Sequence, residues 1–377
     1  MKAKVTATVM MNQKQSSSPS PIYNFAAGPA CLPREVLQQI RDDIPDWHDG
    51  ISIMEISHRS KVFMSLAEEI EANFRKILAI PDEFAVLLMH GGARTQFSAI
   101  PLNLLNGFAT ADYLITGHWS KLAYQDALKY GQVTCVASSE AEQYVNIPEP
   151  SNWEISKNSA YFHYADNETI HGVEFLSPPH IKNQWLVSDM TSNILTKPID
   201  FSLYGLIYAS AQKNLGIAGI TIVIVRKELL GKAYPLTPLT LNYDITHKNN
   251  SMTNTPPIFC WYVLGLVIQW ALKQGGCDAM TTLAQQKADM FYDVIDHSDF
   301  YSNPIFKAHR SRISIPFRLP SETLEALFVE KAAEHGLKML KGHKIVGGCR
   351  ACFYNAMPLA GVKTLVAFMK DFEKSHG

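Results

Sequence analysis

Residues 206–225 have the sequence LIYASAQKNLGIAGITIVIV, and this stretch decides the fold class. Two short apolar runs, 206–209 and 220–225, flank a polar segment that carries one lysine, Lys213. Short apolar runs bounded by glycine are typical of strands that are buried on both faces of a sheet. The stretch therefore predicts two core strands, with Lys213 just beyond the end of the first.

Further apolar runs of the same kind occur at 84–89 and 185–188. Between such runs the apolar residues recur at helical spacing, as they do from 62 to 78. Strands that alternate with helices favour an α/β fold with a mostly parallel central sheet and helices on both faces. We assign this large domain to residues 21–280.

The pattern changes after about residue 280, which predicts a smaller α+β C-terminal domain over residues 281–377. Apolar and polar residues alternate first, and two amphipathic helices and a further strand follow. These C-terminal elements are predicted at 312–317, 321–335, 349–354 and 361–374.

The first twenty residues differ from the rest of the chain. Residues 1–20 contain no acid and end in a Ser/Pro-rich stretch, which predicts a disordered N-terminal tail. A signal peptide is the other interpretation, although the apolar stretch 5–11 is short and no small-residue cleavage site follows it. Residues 21–35 are expected to form an arm that packs on the small domain.

Composition limits the kinds of partner. Lys and Arg total 34 against 35 acids, so the formal charge of −1 offers no general attraction to nucleic acid or to anionic membranes. The longest apolar run, 259–272, is shorter than a membrane span and predicts a buried helix. Six scattered cysteines suit a reducing cytoplasm. We expect small-molecule partners and no metal site, and we interpret Cys349 and Cys352 as core residues.

The segment HGGARTQ at residues 90–96 follows a predicted strand and opens a predicted helix. Small residues allow the backbone to approach a ligand, and a helix N-terminus offers free N–H groups to an anion. Arg94 adds positive charge. A tight strand-to-helix turn without a ligand is the alternative, and the segment is neither a dinucleotide fingerprint nor a P-loop.

Two charged residues also lie at predicted strand ends, Asp189 after 185–188 and Lys213 after 206–209. Ligands of open α/β sheets bind beyond the carboxyl ends of the strands, so these residues and Arg94 can meet in one crevice. Each of them alone is more often a surface residue. Together they provide the amine, the acid and the anion cup that a pyridoxal cofactor needs.

Several ordered motifs point to a known family. From about residue 23 to 377 the chain resembles the phosphoserine aminotransferases, which are class V aminotransferases of the fold-type I pyridoxal-phosphate enzymes. The motifs are NFAAGPA at 24–30, MEISHR at 54–59, NETI at 167–170, QKN at 212–214, NTPP at 254–257, GGCR at 347–350 and YNAMP at 354–358.

The resemblance implies roles for residues around a pyridoxal 5'-phosphate. Lys213 would be the imine lysine and the general base, and Asp189 would keep the pyridine nitrogen protonated. Trp119 would stack on the ring, and Thr169 would hydrogen-bond its phenolic oxygen.

The resemblance also assigns the cofactor phosphate. Ala93, Arg94 and Gln212 would bind it, together with Asn254 and Thr255 from a second subunit. A homodimer would therefore be the working unit.

For substrate, the resemblance assigns Arg350 to the α-carboxylate. His58, Arg59, His343 and Lys344 would receive the distal phosphate, or the γ-carboxylate of glutamate. The implied reaction converts L-glutamate and 3-phosphohydroxypyruvate into 2-oxoglutarate and O-phospho-L-serine, and some relatives also act in pyridoxal phosphate synthesis.

Three residues depart from the family pattern. Ala27 stands where relatives often have Ser, Ala93 replaces a glycine, and Lys344 stands where Arg is frequent. Lys344 keeps its charge but loses the two-pronged geometry of a guanidinium. Two alternatives remain open: another class V activity, such as a serine–glyoxylate aminotransferase or a desulfurase, and a non-catalytic protein that binds phosphorylated metabolites.

Overall fold

The structure is a computed structural model, and it describes residues 21–377. The predicted tail, 1–20, lies outside the described residues. The helices are α1 Arg34–Asp43, α2 Lys61–Leu78, α3 Ala93–Leu104, α4 His118–Ala127, α5 Tyr243–Lys248, α6 Ile258–Lys273, α7 Gly276–Asp296, α8 Glu322–Glu334 and α9 Leu359–His376. The strands are β1 Tyr23–Asn24, β2 Phe84–His90, β3 Thr110–Ile115, β4 Thr134–Ser138, β5 Ser159–Ala165, β6 Asn167–Glu168, β7 Val173–Glu174, β8 Leu186–Asp189, β9 Tyr204–Ser210, β10 Ile220–Arg226, β11 Ser314–Phe317, β12 Leu337–Lys338 and β13 Cys349–Cys352.

A seven-stranded sheet forms the centre of the molecule, with the order β2-β10-β9-β8-β5-β3-β4. The pairs from β9 to β4 are all parallel, and β10 is antiparallel to both of its neighbours. The predicted mostly parallel sheet is therefore confirmed, with β10 as the reversed strand.

Apolar residues of the central strands alternate between two cores. On β2, Val86 and Leu88 belong to the core that includes residues of α2 and α6. Ala85 and Leu87 belong to a second core with residues of α3 and α4. Both faces of the sheet are thus covered by helices, as the continuous apolar runs predict.

The shared direction of all strands except β10 brings six strand ends to one edge of the sheet. These carboxyl-terminal residues are His90, Ile115, Ser138, Ala165, Asp189 and Ser210. The loops that follow them approach one another, and this edge holds the candidate site.

A separate apolar core lies among α7, α8, α9 and the antiparallel pair β11–β13. The N-terminal segment joins it, because β1 pairs in parallel with β12 and Phe25 is fully buried in this core. Helix α7 crosses residue 280, so a division between 280 and 281 stays a prediction. No helix within residues 21–377 has the length and apolar character that a membrane span requires.

Candidate active site

A cavity of about 140 Å³ opens at the shared strand edge. All seven cofactor-site residues predicted within one subunit line it. The lining residues are Gly92, Ala93, Arg94, Trp119, Asn167, Thr169, Asp189, Thr191, Ser192, Gln212 and Lys213. Asn167, Thr191 and Ser192 were not predicted, although they are neighbours in sequence of predicted residues.

Lys213 lies in the connection between β9 and β10 and is buried. Its Nζ donates a hydrogen bond to Thr169 Oγ1. Burial lowers the pKa of Lys213 to about 8, and the negative charge of Asp189 partly opposes this shift. A substantial share of this amine is therefore neutral near physiological pH, as a nucleophile or general base requires.

Asp189 ends β8 and is also buried. Burial raises the pKa of this carboxyl, whereas hydrogen bonds from Thr191 and the charge of Lys213 act in the opposite direction. The backbone N–H of Thr191 donates to Asp189 Oδ1 at 2.9 Å. The carboxylate is therefore held in one orientation at the cavity wall.

The anion turn, residues 91–94, joins β2 to α3. Gly91 has a φ of +90°, a conformation that favours glycine, and its N–H donates to Gly219 O at 2.9 Å. Within the described residues no side chain caps α3, so its first N–H groups remain available to an anion. Arg94 adds charge and also pairs with Asp126 at 3.2 Å. Ala93 has helical backbone angles, so its side chain is accommodated.

Trp119 is positioned by a buried carboxylate. Glu168 is fully buried and accepts hydrogen bonds from Trp119 N at 3.0 Å and Ser120 N at 2.7 Å, at the start of α4. A side chain at Gly117 would overlap this carboxylate, which accounts for glycine there. The family motif at 167–170 contains Glu168, but this role of Glu168 was not predicted from the sequence.

The predicted substrate residues Arg350 and His343 lie beside the cavity. Arg350 Nη1 donates to Thr169 O at 3.1 Å. The ring of His343 lies 6.4 Å from that of His118, which sequence reasoning did not single out. Burial and the positive charge of Arg350 lower the pKa of His343. Lys344 is exposed beside it.

The other predicted residues do not line the cavity. His58 and Arg59 lie in the turn before α2. Asn254 and Thr255 lie in an exposed segment before α6, where Thr255 O bonds with His90 Nε2 at 2.9 Å. A single chain therefore does not bring these four residues to the site.

Comparison with known proteins gives a consistent result. The model of the family "Aminotransferase class-V" matches residues 22–365. A phosphoserine aminotransferase of Nitrosomonas europaea is 50% identical over 365 residues, which cover 94% of this chain and 99% of that protein. The chain belongs to the phosphoserine aminotransferase family.

Solved structures of the phosphoserine aminotransferase family share the fold over nearly the whole chain. The enzyme of Bacillus circulans subsp. alkalophilus has a TM-score of 0.92 at 42% identity, covering 95% of this chain and 100% of its own. The PLP-bound enzyme of Trichomonas vaginalis has a TM-score of 0.90 at 40% identity, covering 93% and 99%. Fold-type I architecture is thereby confirmed for this family member.

Proposed function

We propose that this enzyme transfers the amino group of L-glutamate to 3-phosphohydroxypyruvate, giving O-phospho-L-serine and 2-oxoglutarate, with pyridoxal phosphate as cofactor. The observation that carries the proposal is the convergence of Lys213, Asp189 and the anion turn on one cavity. The names of the relatives from N. europaea and B. circulans support the same substrates.

The donor set of the cavity fits this cofactor. The uncapped start of α3, with Arg94 and Gln212, would hold the phosphate, and Trp119 would cover the ring. Asp189 would bind the ring nitrogen and Lys213 the aldehyde carbon. When bound, the cofactor supplies an aldehyde that exchanges between amines and a ring that accepts the electron pair released at the substrate Cα.

Lys213 is the group proposed to move the proton. Its amine is buried, its pKa is lowered to about 8, and it is held by the hydroxyl of Thr169. The neutral amine of Lys213 would accept the Cα proton of the substrate and later return it. General base catalysis of this kind contributes about 10²–10⁴-fold to a rate.

Substrate orientation is assigned to Arg350 and a distal group of cations. Arg350 is fixed by Thr169 O and would clamp the α-carboxylate in a two-pronged geometry. His343 and Lys344 would face the distal phosphate or γ-carboxylate, completed by His58 and Arg59 of a second subunit. Flexible single cations suit a pocket that must accept both a carboxylate and a phosphate.

A homodimer and a cytoplasmic location belong to the same proposal. The dimer is supported by the exposed position of Asn254 and Thr255, which do not line the cavity of their own chain. The location is supported by six unpaired cysteines, at positions 31, 135, 260, 277, 349 and 352.

The cations around His343 favour this activity over another class V activity, because small uncharged substrates need no such group. A protein that only binds phosphorylated metabolites would not need a lysine in the cavity with a lowered pKa. That alternative predicts colourless protein that does not react with glutamate.

The decisive test is a visible spectrum of the purified protein. We expect a yellow protein with a visible absorption band that disappears when glutamate is added and returns with 3-phosphohydroxypyruvate. Replacing Arg350 by Leu should weaken every amino donor alike. Replacing His343 by Asn should change the preference between phosphorylated and carboxylated substrates. A band insensitive to glutamate would contradict the proposal.

A further inference from the structure

The histidine turn, residues 342–348, carries the predicted substrate residue His343 at the start of a compact loop. The base of this turn is closed by a hydrogen bond of 2.8 Å from Gly342 N to Gly348 O. Within the turn, two further backbone N–H groups donate to His343 O at 3.0 and 2.8 Å. The conformation of the turn therefore determines the position of His343.

The same turn also orients the ring of His343. The N–H of Ile345 donates to Nδ1 of His343 at 3.3 Å. A nitrogen that accepts a hydrogen bond carries no hydrogen, so a neutral ring has its hydrogen on Nε2. The ring lies 6.4 Å from that of His118, which starts α4 and precedes the cavity residue Trp119. The turn thus presents a hydrogen-bond donor beside the cavity.

Arg318, directly after β11, links the histidine turn to α8. Its Nη1 donates to Val346 O in the turn at 3.0 Å, and its Nε donates to Glu325 Oε1 on α8 at 2.6 Å. Glu325 is 7% exposed and is therefore a fixed partner. The main chain of Arg318 is paired with Ser302 in both directions, at 2.8 and 3.0 Å. One guanidinium therefore ties the turn to two fixed elements.

Close packing accompanies these hydrogen bonds. A Cβ at Gly348 would lie 2.7 Å from Cδ of Arg318 and 2.9 Å from Phe317 O, and the φ of Gly348 is +67°. Glycine satisfies both the space and the backbone conformation at this position. The turn therefore lies directly against the stem of the arginine.

Attraction of an anionic substrate by the charge of Arg318 is a second interpretation. Arg318 does not line the cavity, and its charge is paired with that of Glu325. The contacts with Val346 and Gly348 are contacts with the turn itself. These observations favour a role in holding the turn over a role of the charge.

We infer that Arg318 is a positioning residue that holds the histidine turn in the conformation in which His343 and Lys344 receive the distal group of the substrate. The inference rests on the proposed function, since it concerns the same substrates. Arg318 acts through the turn and not by contact with the substrate.

Steady-state kinetics of the complete enzyme with O-phospho-L-serine as amino donor test this inference. Arg318→Met should raise the KM for this donor about tenfold and change kcat less than about twofold, because binding of the distal group weakens while Lys213 and Asp189 are unchanged. Arg318→Lys should show a similar rise, because an ammonium does not reproduce the two-pronged geometry. A parental KM in Arg318→Lys would mean that charge alone acts, and would overturn the inference.

A second background shows whether Arg318 acts through the turn. His343→Asn combined with Lys344→Met removes the two groups that Arg318 is inferred to position. Adding Arg318→Met to this background should lower kcat/KM for O-phospho-L-serine less than about twofold further. A further tenfold fall would show that Arg318 acts independently of these groups, and would also overturn the inference.

Arg75→Met is the matched control. Arg75 also lies between a glutamate and a backbone carbonyl, since its Nε donates to Glu71 Oε1 at 2.9 Å and its Nη2 to Phe84 O at 3.0 Å. Phe84 begins β2, at the end of the strand opposite the candidate site. The KM of this variant should equal that of the parent, and a rise equal to that of Arg318→Met would overturn the inference.

The two proposals fail in different ways. A parent enzyme that transfers no amino group from O-phospho-L-serine overturns the proposed function, and the inference with it. An active parent whose KM is unchanged in both Arg318 variants overturns the inference alone. If Arg318→Met does not fold, Arg318→Lys decides the question by the same comparison.

Discussion

Two buried lysines of this molecule have similar burial but different surroundings. Lys213 lines the cavity, and its Nζ donates to one hydroxyl, that of Thr169. Lys287, on α7, is 0% exposed and donates to the carbonyl oxygens of Phe353, Tyr354 and Met357 at 2.9, 2.9 and 3.2 Å. Burial lowers the pKa of both, to about 8 and about 7.

The comparison shows that a lowered pKa does not by itself identify a reactive lysine. Lys287 has the lower value, but all three of its hydrogens have carbonyl acceptors, so it stabilises the loop after β13. Lys213 has hydrogens left for other partners and faces an open space. Unfilled hydrogen-bonding capacity beside a cavity, rather than burial, distinguishes the candidate catalytic group.

The largest expected effect is that of Lys213→Ala on turnover. The variant would lack the amine that we propose for cofactor attachment and for proton acceptance, so we expect 2-oxoglutarate formation to be at least about a thousandfold slower. Its unfolding midpoint should not fall. Normal turnover by this variant would mean that another residue has the catalytic role.

Reductive labelling compares the two amines directly. Cofactor-free protein is exposed to pyridoxal phosphate, reduced with borohydride and analysed by peptide mass spectrometry. Only the neutral amine reacts, so labelling of Lys213 should rise with pH through a midpoint of about 8 rather than the ordinary 10.5. Lys287 should stay unlabelled in folded protein. Labelling of both lysines would remove the distinction between them.

Lys287→Met tests the structural role of the second lysine. Methionine fills a similar volume but leaves three carbonyl oxygens without a donor, so the free energy of unfolding should fall by about 3 kcal/mol. Denaturant unfolding measures this change. Lys331→Met on α8, where the side chain is 44% exposed, is the control and should be nearly neutral. Equal stability of both variants would contradict a structural role.

The smallest effect is expected for Thr169→Val. This change removes the oxygen that favours the charged form of Lys213, so the labelling midpoint should move down by about one pH unit. Thr169→Ser keeps the hydroxyl and should keep the midpoint. An upward movement in the valine variant would mean that another group controls the amine.

Sequence reasoning located the residues whose position depends on strand ends. Asp189, Lys213 and Arg94 follow apolar runs, and parallel pairing necessarily brings such ends together. Trp119 and Thr169 follow β3 and β5, but only the family resemblance singled them out.

Other groups escaped prediction because their partners are far away in sequence. Lys287 looks like an ordinary helix residue until residues 353–357 supply their carbonyls. His163 Nε2 lies 2.9 Å from the hydroxyl of Tyr208, but in the sequence it is only a histidine within the short aromatic run 160–164. Asn254 is predicted to act on the site of a second chain, and His58 is predicted to bind the distal group of the substrate. Both roles stay predictions.

The reversal of β10 limits how far the amine of Lys213 can move. Because β10 runs back along β9 and then pairs with β2, residues 211–219 form a short return anchored at both ends, and Gly91 N is tied to Gly219 O. The main chain thus fixes the spacing between Lys213 and the anion turn. Only the flexible four-carbon side chain of Lys213 can then move. The rigid sheet therefore sets the length of the ligand that fits between Lys213 and the anion turn.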